Sequence, residues 1–305
     1  SGSGILPRGR GPLRQSEKPM PELPEVETIV RDLNAAGLIG KTVSFARVYW
    51  PRSIAAPSAP EFCRLMEKRE IPAVDRRGKF LVFRLAGGRS MLLHLRMSGR
   101  LHLVPCERPR SAHEHVVIGF EDGSELRFHD TRKFGRIYLL EHAEKILSRL
   151  GPEPLLPGFT AKRLEGMLTA RSRFLKPLLL DQSFLAGLGN IYVDEALWEA
   201  RIHPQRRSDS LSTAEAKSLH AAIRRVLRRG IKNLGTSLGT GKANFYSVSR
   251  RRGRNGDELN VFRRTGEPCP RCGSAIRRIV VGQRSTHLCP RCQGIDIRVH
   301  NKKPS

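Results

Sequence analysis

The sequence predicts an α+β chain of several domains: an N-terminal β-sandwich with flanking helices, a helical domain, and a C-terminal zinc ribbon. Three observations carry this. Short strand-like runs separated by turn pairs such as Gly87-Gly88 and Asp122-Gly123 occupy residues 42–140. After the Pro-rich stretch Gly151–Gly158, a stiff linker and domain boundary, the apolar period becomes helical. Cys269-x2-Cys272 and Cys289-x2-Cys292 then lie near the end of the chain.

Each element follows from local chemistry. Residues 1–20 are rich in Gly, Pro and Ser, lack periodicity, and are expected to form a flexible tail. Pro24 suits the first turn of a helix, and Glu25 and Glu27 suit its positive end. Val26, Ile29, Val30 and Leu33 repeat at helical spacing, and Gly37 and Gly40 stop the helix. Strands are expected at 42–49, 79–85, 90–95, 115–120, 125–128 and 136–140. Helices are expected at 161–169, 176–180, 190–199 and 213–230, the last with a basic face of Arg224, Arg225, Arg228 and Arg229. A second flexible stretch is expected at 235–256, carrying Arg250, Arg251, Arg252 and Arg254. The expected divisions are 1–20 (tail), 21–150 (β-sandwich), 159–256 (helical) and 262–305 (ribbon).

Charge narrows the partner. Lys and Arg number 55 against 29 Asp and Glu, a formal +26 over 305 residues, which repels itself in a compact fold and calls for a polyanion. Nucleic acid is favoured over an anionic membrane, because no long basic amphipathic helix with a Trp/Phe face is present. No run of eighteen apolar residues occurs, so no membrane-spanning helix is expected, and a secretory signal is not expected either. The cysteine pattern suits a reducing compartment with a metal site rather than a disulfide framework.

The two Cys-x2-Cys knuckles place four thiolates around one Zn²⁺, with Ile276–Val281 and Arg284–Leu288 as the hairpin between them. Four thiolates leave no open coordination position, so the metal is structural and folds a segment too small for its own core. Arg271, Arg277, Arg278, Arg284 and Arg291 make a phosphate-binding finger; a zinc-stapled scaffold with a solvated basic face is the plainer alternative.

Met20-Pro21-Glu22-Leu23-Pro24-Glu25-Val26-Glu27-Thr28 is the most specific stretch. Methionine is readily trimmed before a small residue, which would leave Pro21 with a secondary amine able to form a Schiff base at an aldehyde-like carbon. An α-amino group has a pKa of about 8, so a useful share is neutral, and Glu22 beside it could shuttle protons. Taken alone, these residues far more often mark a plain helix start. The string resembles the signature of the formamidopyrimidine-DNA glycosylase family, also called MutM. The resemblance continues through Arg77-Gly78-Lys79-Phe80, His94-Leu95-Arg96-Met97-Ser98-Gly99, Asp130-Thr131-Arg132-Lys133-Phe134-Gly135, Leu150–Pro154, Gly187-Leu188-Gly189-Asn190-Ile191-Tyr192 and the ribbon.

The resemblance implies a helix-two-turns-helix domain, removal of oxidised purines such as 8-oxoguanine from double-stranded DNA, and strand cleavage at abasic sites. It implies Pro21 as nucleophile and Glu22 as proton donor to the sugar. Lys79, His94, Asn190 and Arg284 would hold phosphates; Met97, Arg132 and Phe134 would fill the gap left by the flipped base, and Lys133 would add charge beside them. It also implies a bacterial, cytoplasmic, nucleoid-associated monomer needing no redox or nucleotide cofactor. Each residue has a plainer reading: Lys79 a solvated edge charge, His94 and Met97 core residues, Phe134 a packed turn aromatic. Asn190 is expected to cap a helix whose amides bind phosphate. His113-Glu114-His115 reads as alternating strand with solvent exposure rather than a metal motif.

The sequence departs from the family in four places. Residues precede Pro21, and with them attached its nitrogen is an amide, so lyase chemistry is expected only of a chain beginning at Pro21. Lys133 replaces a frequent arginine and loses its bidentate reach. Arg96 replaces a frequent small residue. The stretch 236–255, where the family folds a lid over the flipped base, diverges most. Three other readings remain: an oxidised-pyrimidine glycosylase of the endonuclease VIII type, disfavoured by Leu23-Pro24 with Met97, Arg132 and Phe134; a noncatalytic lesion-binding protein blocked by its tail; and a general zinc-ribbon nucleic-acid binder, which leaves the N-terminal motif unexplained.

Overall fold

A computed structural model describes residues 20–238, 245, 247–249 and 251–294. The expected tail (except Met20), the middle of the 235–256 stretch with Arg250, and residues 295–305 lie outside these.

The first helix, α1 (Leu23–Ala35), has Pro24 in its first turn and turns its apolar residues inward. Its first residue, Leu23, belongs to the core of the helical domain, whereas Val26, Ile29, Val30 and Leu33 belong to that of the sandwich. The start of α1 is therefore fixed at the junction of two cores. The sandwich strands are β1 (Val43–Val48), β2 (Ile54–Ala56), β3 (Ala73–Arg77), β4 (Phe80–Arg84), β5 (Ser90–His94), β6 (Gly99–Pro105), β7 (Glu114–Phe120), β8 (Ser124–Asp130) and β9 (Arg136–Leu140). They form sheets ordered β1-β7-β8-β6 and β2-β9-β5-β4-β3, antiparallel except for β2 beside β9. Side chains from both inner faces, including Leu81, Phe83, Leu93, Ile118 and Phe128, fill the space between them. The short helix α2 (Ala59–Met66) buries Phe62 and Met66 against this core and is capped by Ser58, whose Oγ accepts from Glu61 N at 3.4 Å.

Four further helices follow the short α3 (Glu144–Leu147): α4 (Ala161–Thr169), α5 (Leu175–Leu180), α6 (Asn190–Glu199) and α7 (Thr213–Lys232). Thr160 caps α4, and Ser212 with Glu215 forms a capping box on α7. The ribbon hairpin is β10 (Arg277–Val281) and β11 (Arg284–Leu288). No helix among the described residues is long and apolar enough to cross a membrane.

The structure corrects several expectations. Strands β2, β3 and β6 and helices α2 and α3 were not foreseen, because their residues are short runs, polar, or bounded by Gly and Pro. Glu114 and His115 are not solvent-exposed: both are buried, Glu114 against the fully buried Arg127. The described parts of 235–256 are anchored rather than loose. Thr236 N donates to Glu25 Oε1 (2.7 Å) and Ser249 N to Asp32 Oδ2 (3.1 Å). The basic face of α7 is largely spent on structure: Arg224 donates to the carbonyls of Pro154 and Leu156, and Arg225 pairs with Glu199.

Candidate active site and nucleic-acid interface

A cavity of about 660 Å³ opens between the sandwich, the helical domain and the ribbon. Met20, Glu22, Lys79, His94, Asn190 and Arg284 line it, with Met97 and Phe134 at one side. Seven residues expected at the site thus converge beside Met20, although they span more than 260 positions of sequence, while Pro21, Arg132 and Lys133 do not line the cavity.

Glu22 sits where two helices begin. It is the N-cap of α1, and its backbone N–H donates to Glu25 Oε2 at 2.9 Å. Its Oε1 also accepts from Ile191 N (2.9 Å), and Oε2 from Tyr192 N (3.4 Å), in the first turn of α6. Gly189 makes this approach feasible, since a Cβ there would lie 2.3 Å from Glu22 Cδ. Glu22 as a whole is 2% exposed. Burial pushes its pKa up to about 7 and outweighs the opposing Lys79 charge and the two amides, with Glu25 adding to the rise. The group therefore exchanges a proton near neutrality.

Lys79 is buried just before β4, not a solvated edge charge. Burial pulls its pKa down against the attraction of Glu22 and Glu25, assisted by Arg284 and Arg96. His94 Nδ1 accepts from Arg96 N at 3.1 Å, which leaves Nε2 as the protonated nitrogen of a neutral ring. The ring packs edge-on against Phe80 with centroids 4.9 Å apart. Burial and the Arg96 and Lys79 charges lower its pKa to about 3, so it stays a neutral donor throughout the physiological range.

Asn190 does not cap α6. Gly189 is the N-cap, and Asn190 is the first helical residue. Its Nδ2 donates to Ser285 O at 3.0 Å, and its Oδ1 is buried without a protein partner. That bond ties the start of α6 to the ribbon beside Arg284, which is exposed at the start of β11.

Met97, Arg132 and Phe134 come from two loops joined by one carboxylate. Asp130 accepts from Ser98 Oγ, from Arg132 N (3.1 Å) and from Gly135 N (2.7 Å). Arg132 donates to Met97 Sδ at 3.2 Å and lies over the Phe134 ring at 4.9 Å. Phe134 is 47% exposed, so it is not a packed turn aromatic. Lys133 takes a left-handed backbone (φ 60°) and turns away, its Nζ 3.9 Å from the Trp50 ring centroid.

The four cysteine Sγ atoms lie within 4.8 Å of one another. Opposed pairs stand at 3.4 Å (Cys272–Cys289) and 4.0 Å (Cys269–Cys292). A tetrahedron with Zn–S bonds of about 2.3 Å needs S–S separations of about 3.8 Å, so the cluster fits one structural zinc. Trp198 Nε1 donates to Cys269 Sγ at 3.4 Å.

Several residues that order the site were not foreseen, because in sequence a charged residue reads as exposed. Lys176, wholly buried, donates to Asp194 Oδ1 (2.5 Å) and Ser285 O (3.0 Å), while Asp194 Oδ2 accepts from His287 N (2.9 Å). Glu195 accepts from Asn260, Val261 and Phe262 N–H groups at 2.9–3.0 Å. Glu153 in the linker holds Arg76 and Arg77. A capping box (Glu22 with Glu25) was the one signal available.

Family models match in the same three parts: the formamidopyrimidine-DNA glycosylase N-terminal domain at 20–137, its H2TH domain at 150–241, and the zinc finger found in FPG and IleRS at 266–294. Formamidopyrimidine-DNA glycosylase of Protochlamydia amoebophila is 48% identical over 274 residues, covering 90% of this chain and 99% of the relative. That of Symbiobacterium thermophilum is 46% identical over 280 residues, with 90% of each covered. Among solved structures, Lactococcus lactis Fpg with abasic-site DNA superposes with TM-score 0.82 at 35% identity, covering 90% of this chain and all of the other. MutM in complex with DNA containing carbocyclic 8-oxo-G gives 0.83 at 34%, with the same coverage. With the models covering most of its length and relatives near half identity along nearly all of theirs, the chain belongs to the formamidopyrimidine-DNA glycosylase family.

Proposed function

We propose that the chain is a bifunctional DNA glycosylase and abasic-site lyase of base excision repair that removes oxidised purines through the nitrogen of Pro21. The observation carrying this reading is the convergence, at one cavity, of Met20 and Glu22 on either side of Pro21, the Glu22 carboxyl with its pKa raised to about 7, and a ring of donors from all three parts of the fold.

In a chain that begins at Pro21, the secondary amine attacks C1′ of a flipped nucleotide as the glycosidic bond breaks and the base departs. Glu22 delivers its proton to O4′ and the sugar opens to a Schiff base. Loss of a C2′ proton then expels the 3′ phosphate, and a second elimination expels the 5′ phosphate. Lys79, neutral His94, Asn190 and Arg284 hold the phosphates flanking the lesion. Met97, Arg132 and Phe134 occupy the vacated position in the stack, which offsets an unstacking cost of a few kcal/mol. The zinc takes no part in these steps; it folds the hairpin that presents Arg284.

Functionally, 21–150 carries the chemistry, 159–256 the duplex-gripping helices and the lesion cap, and 262–305 the finger. We assign the protein to the bacterial cytoplasm, at the nucleoid. Excision from defined duplexes tests the substrate class, using the chain starting at Pro21. Release of 8-oxoguanine faster than thymine glycol is expected. The reverse order would move the assignment to oxidised pyrimidines.

A further inference from the structure

Beyond the wedge formed by Met97, Arg132 and Phe134, the sandwich carries a strip of paired cations and aromatic rings. Lys133 Nζ lies 3.9 Å from the Trp50 ring centroid, and the Arg52 guanidinium approaches the same ring at 6.0 Å. Arg110 lies 3.9 Å over Tyr49, itself 46% exposed. The backbone joins these pairs, since Tyr49 N (2.8 Å) and Trp50 N (3.4 Å) both donate to His115 O. Arg110 is fixed further by bonds from Nη1 to the carbonyls of Ser111 (3.1 Å) and Glu114 (3.0 Å).

These cations are not neutralised. Among the described residues none of Arg52, Arg110, Arg132 and Lys133 is in an ion pair, whereas Arg76, Arg77, Arg84, Arg89, Arg108 and Arg127 of the same sandwich all pair with carboxylates. Aromatic faces fix cations in place without cancelling their charge. A surface charge serving solubility alone gains nothing from such fixing. A row of fixed, uncompensated cations is suited to a row of phosphates.

We infer that Tyr49, Trp50, Arg52, Arg110 and Lys133 form a second backbone-binding strip that takes phosphates of the strand opposite the lesion. The inference rests on the proposed function. If Lys79, His94, Asn190 and Arg284 hold the damaged strand at the cavity and the wedge enters the stack, the surface on the far side of the wedge faces the complementary strand. Lys133 then acts outside the wedge, as its left-handed turn toward Trp50 requires.

The test is a salt titration of binding to a duplex carrying a stable abasic-site analogue. The full chain, Arg52→Ala, and Arg52→Ala/Arg110→Ala are compared, with Arg110→Lys as a charge-preserving companion. Each lost phosphate contact should reduce the slope of log K against log salt by about 0.9. The double variant should therefore fall by about 1.8, and Arg110→Lys should keep the parent slope. Methylphosphonates in the complementary strand should weaken the parent more than the double variant, which keeps only Lys133 of the three cations. Unchanged slopes would overturn the strip, as would sensitivity to methylphosphonates in the damaged strand only. A parent protein that binds lesion and intact duplex equally would instead overturn the glycosylase reading itself.

Discussion

At the scale of residues, the chemistry depends on where burial places protons. Glu22 holds its proton up to about pH 7 because desolvation outweighs the Lys79 charge and two helix amides. Base release by the chain starting at Pro21 is therefore expected to decline as pH rises through about 7. In Glu22→Gln it should fall by roughly 10²- to 10⁴-fold, and the decline with pH should vanish; single-turnover rates between pH 5.5 and 8.5 report both. The sign for stability follows from the same shift. A carboxyl whose folded pKa lies above its ordinary value of 4.5 binds more protons folded than unfolded, so its contribution to stability is lost as pH rises from about 4.5 to about 7. The proton role of Glu22 was legible in the sequence from its place beside Pro21 and from the family resemblance, but its burial and raised pKa were not. The roles of Met97, Arg132 and Phe134 were likewise carried by family resemblance alone. What the structure adds is Asp130, which binds their two loops together.

At the scale of elements, α6 is the rail on which the site is mounted. Its first amides hold Glu22, Asn190 and Asp194 hold β11, Glu195 holds the segment before the ribbon, and Trp198 reaches Cys269. The position of α6 was readable from its apolar residues and the glycines before it, but its buried charges were not, since charged residues are seldom wholly buried. Removing one partner of the Lys176–Asp194 pair leaves an uncompensated buried charge. Lys176→Met should cost about 3–5 kcal/mol in urea unfolding, and adding Asp194→Asn should cost less than the sum of the two single changes. Additive costs would mean that the pair is not coupled. Strand β3 shows the opposite limit of sequence reading: Asp75, Arg76 and Arg77 hide a strand that is held by pairing with β4 and by Glu153.

At the scale of the whole molecule, the cores of the sandwich, the helical domain and the ribbon are joined by one apolar contact and two polar latches, and the cavity lies where they meet. Leu23 ties the start of α1 to the helical core, Glu153 ties the linker to the sandwich, and Lys176 ties the helices to the ribbon. The domain order and the ribbon were legible because cysteine spacing and the change of period survive in one dimension. The junctions were not, because they join residues far apart in sequence. Chelating the zinc should unfold the ribbon, withdraw Arg284 and weaken lesion-DNA binding, while the circular-dichroism signal of the sandwich persists; retained affinity without metal would show that the finger is dispensable. The central claim is that the Pro21 nitrogen captures C1′. Borohydride reduction during turnover of an 8-oxoguanine duplex tests it directly, with mass mapping of the adduct. A chain starting at Pro21 should give a covalent DNA adduct on that residue, lost in Pro21→Gly; no adduct, or one mapped to another amine such as Lys79, would contradict the account.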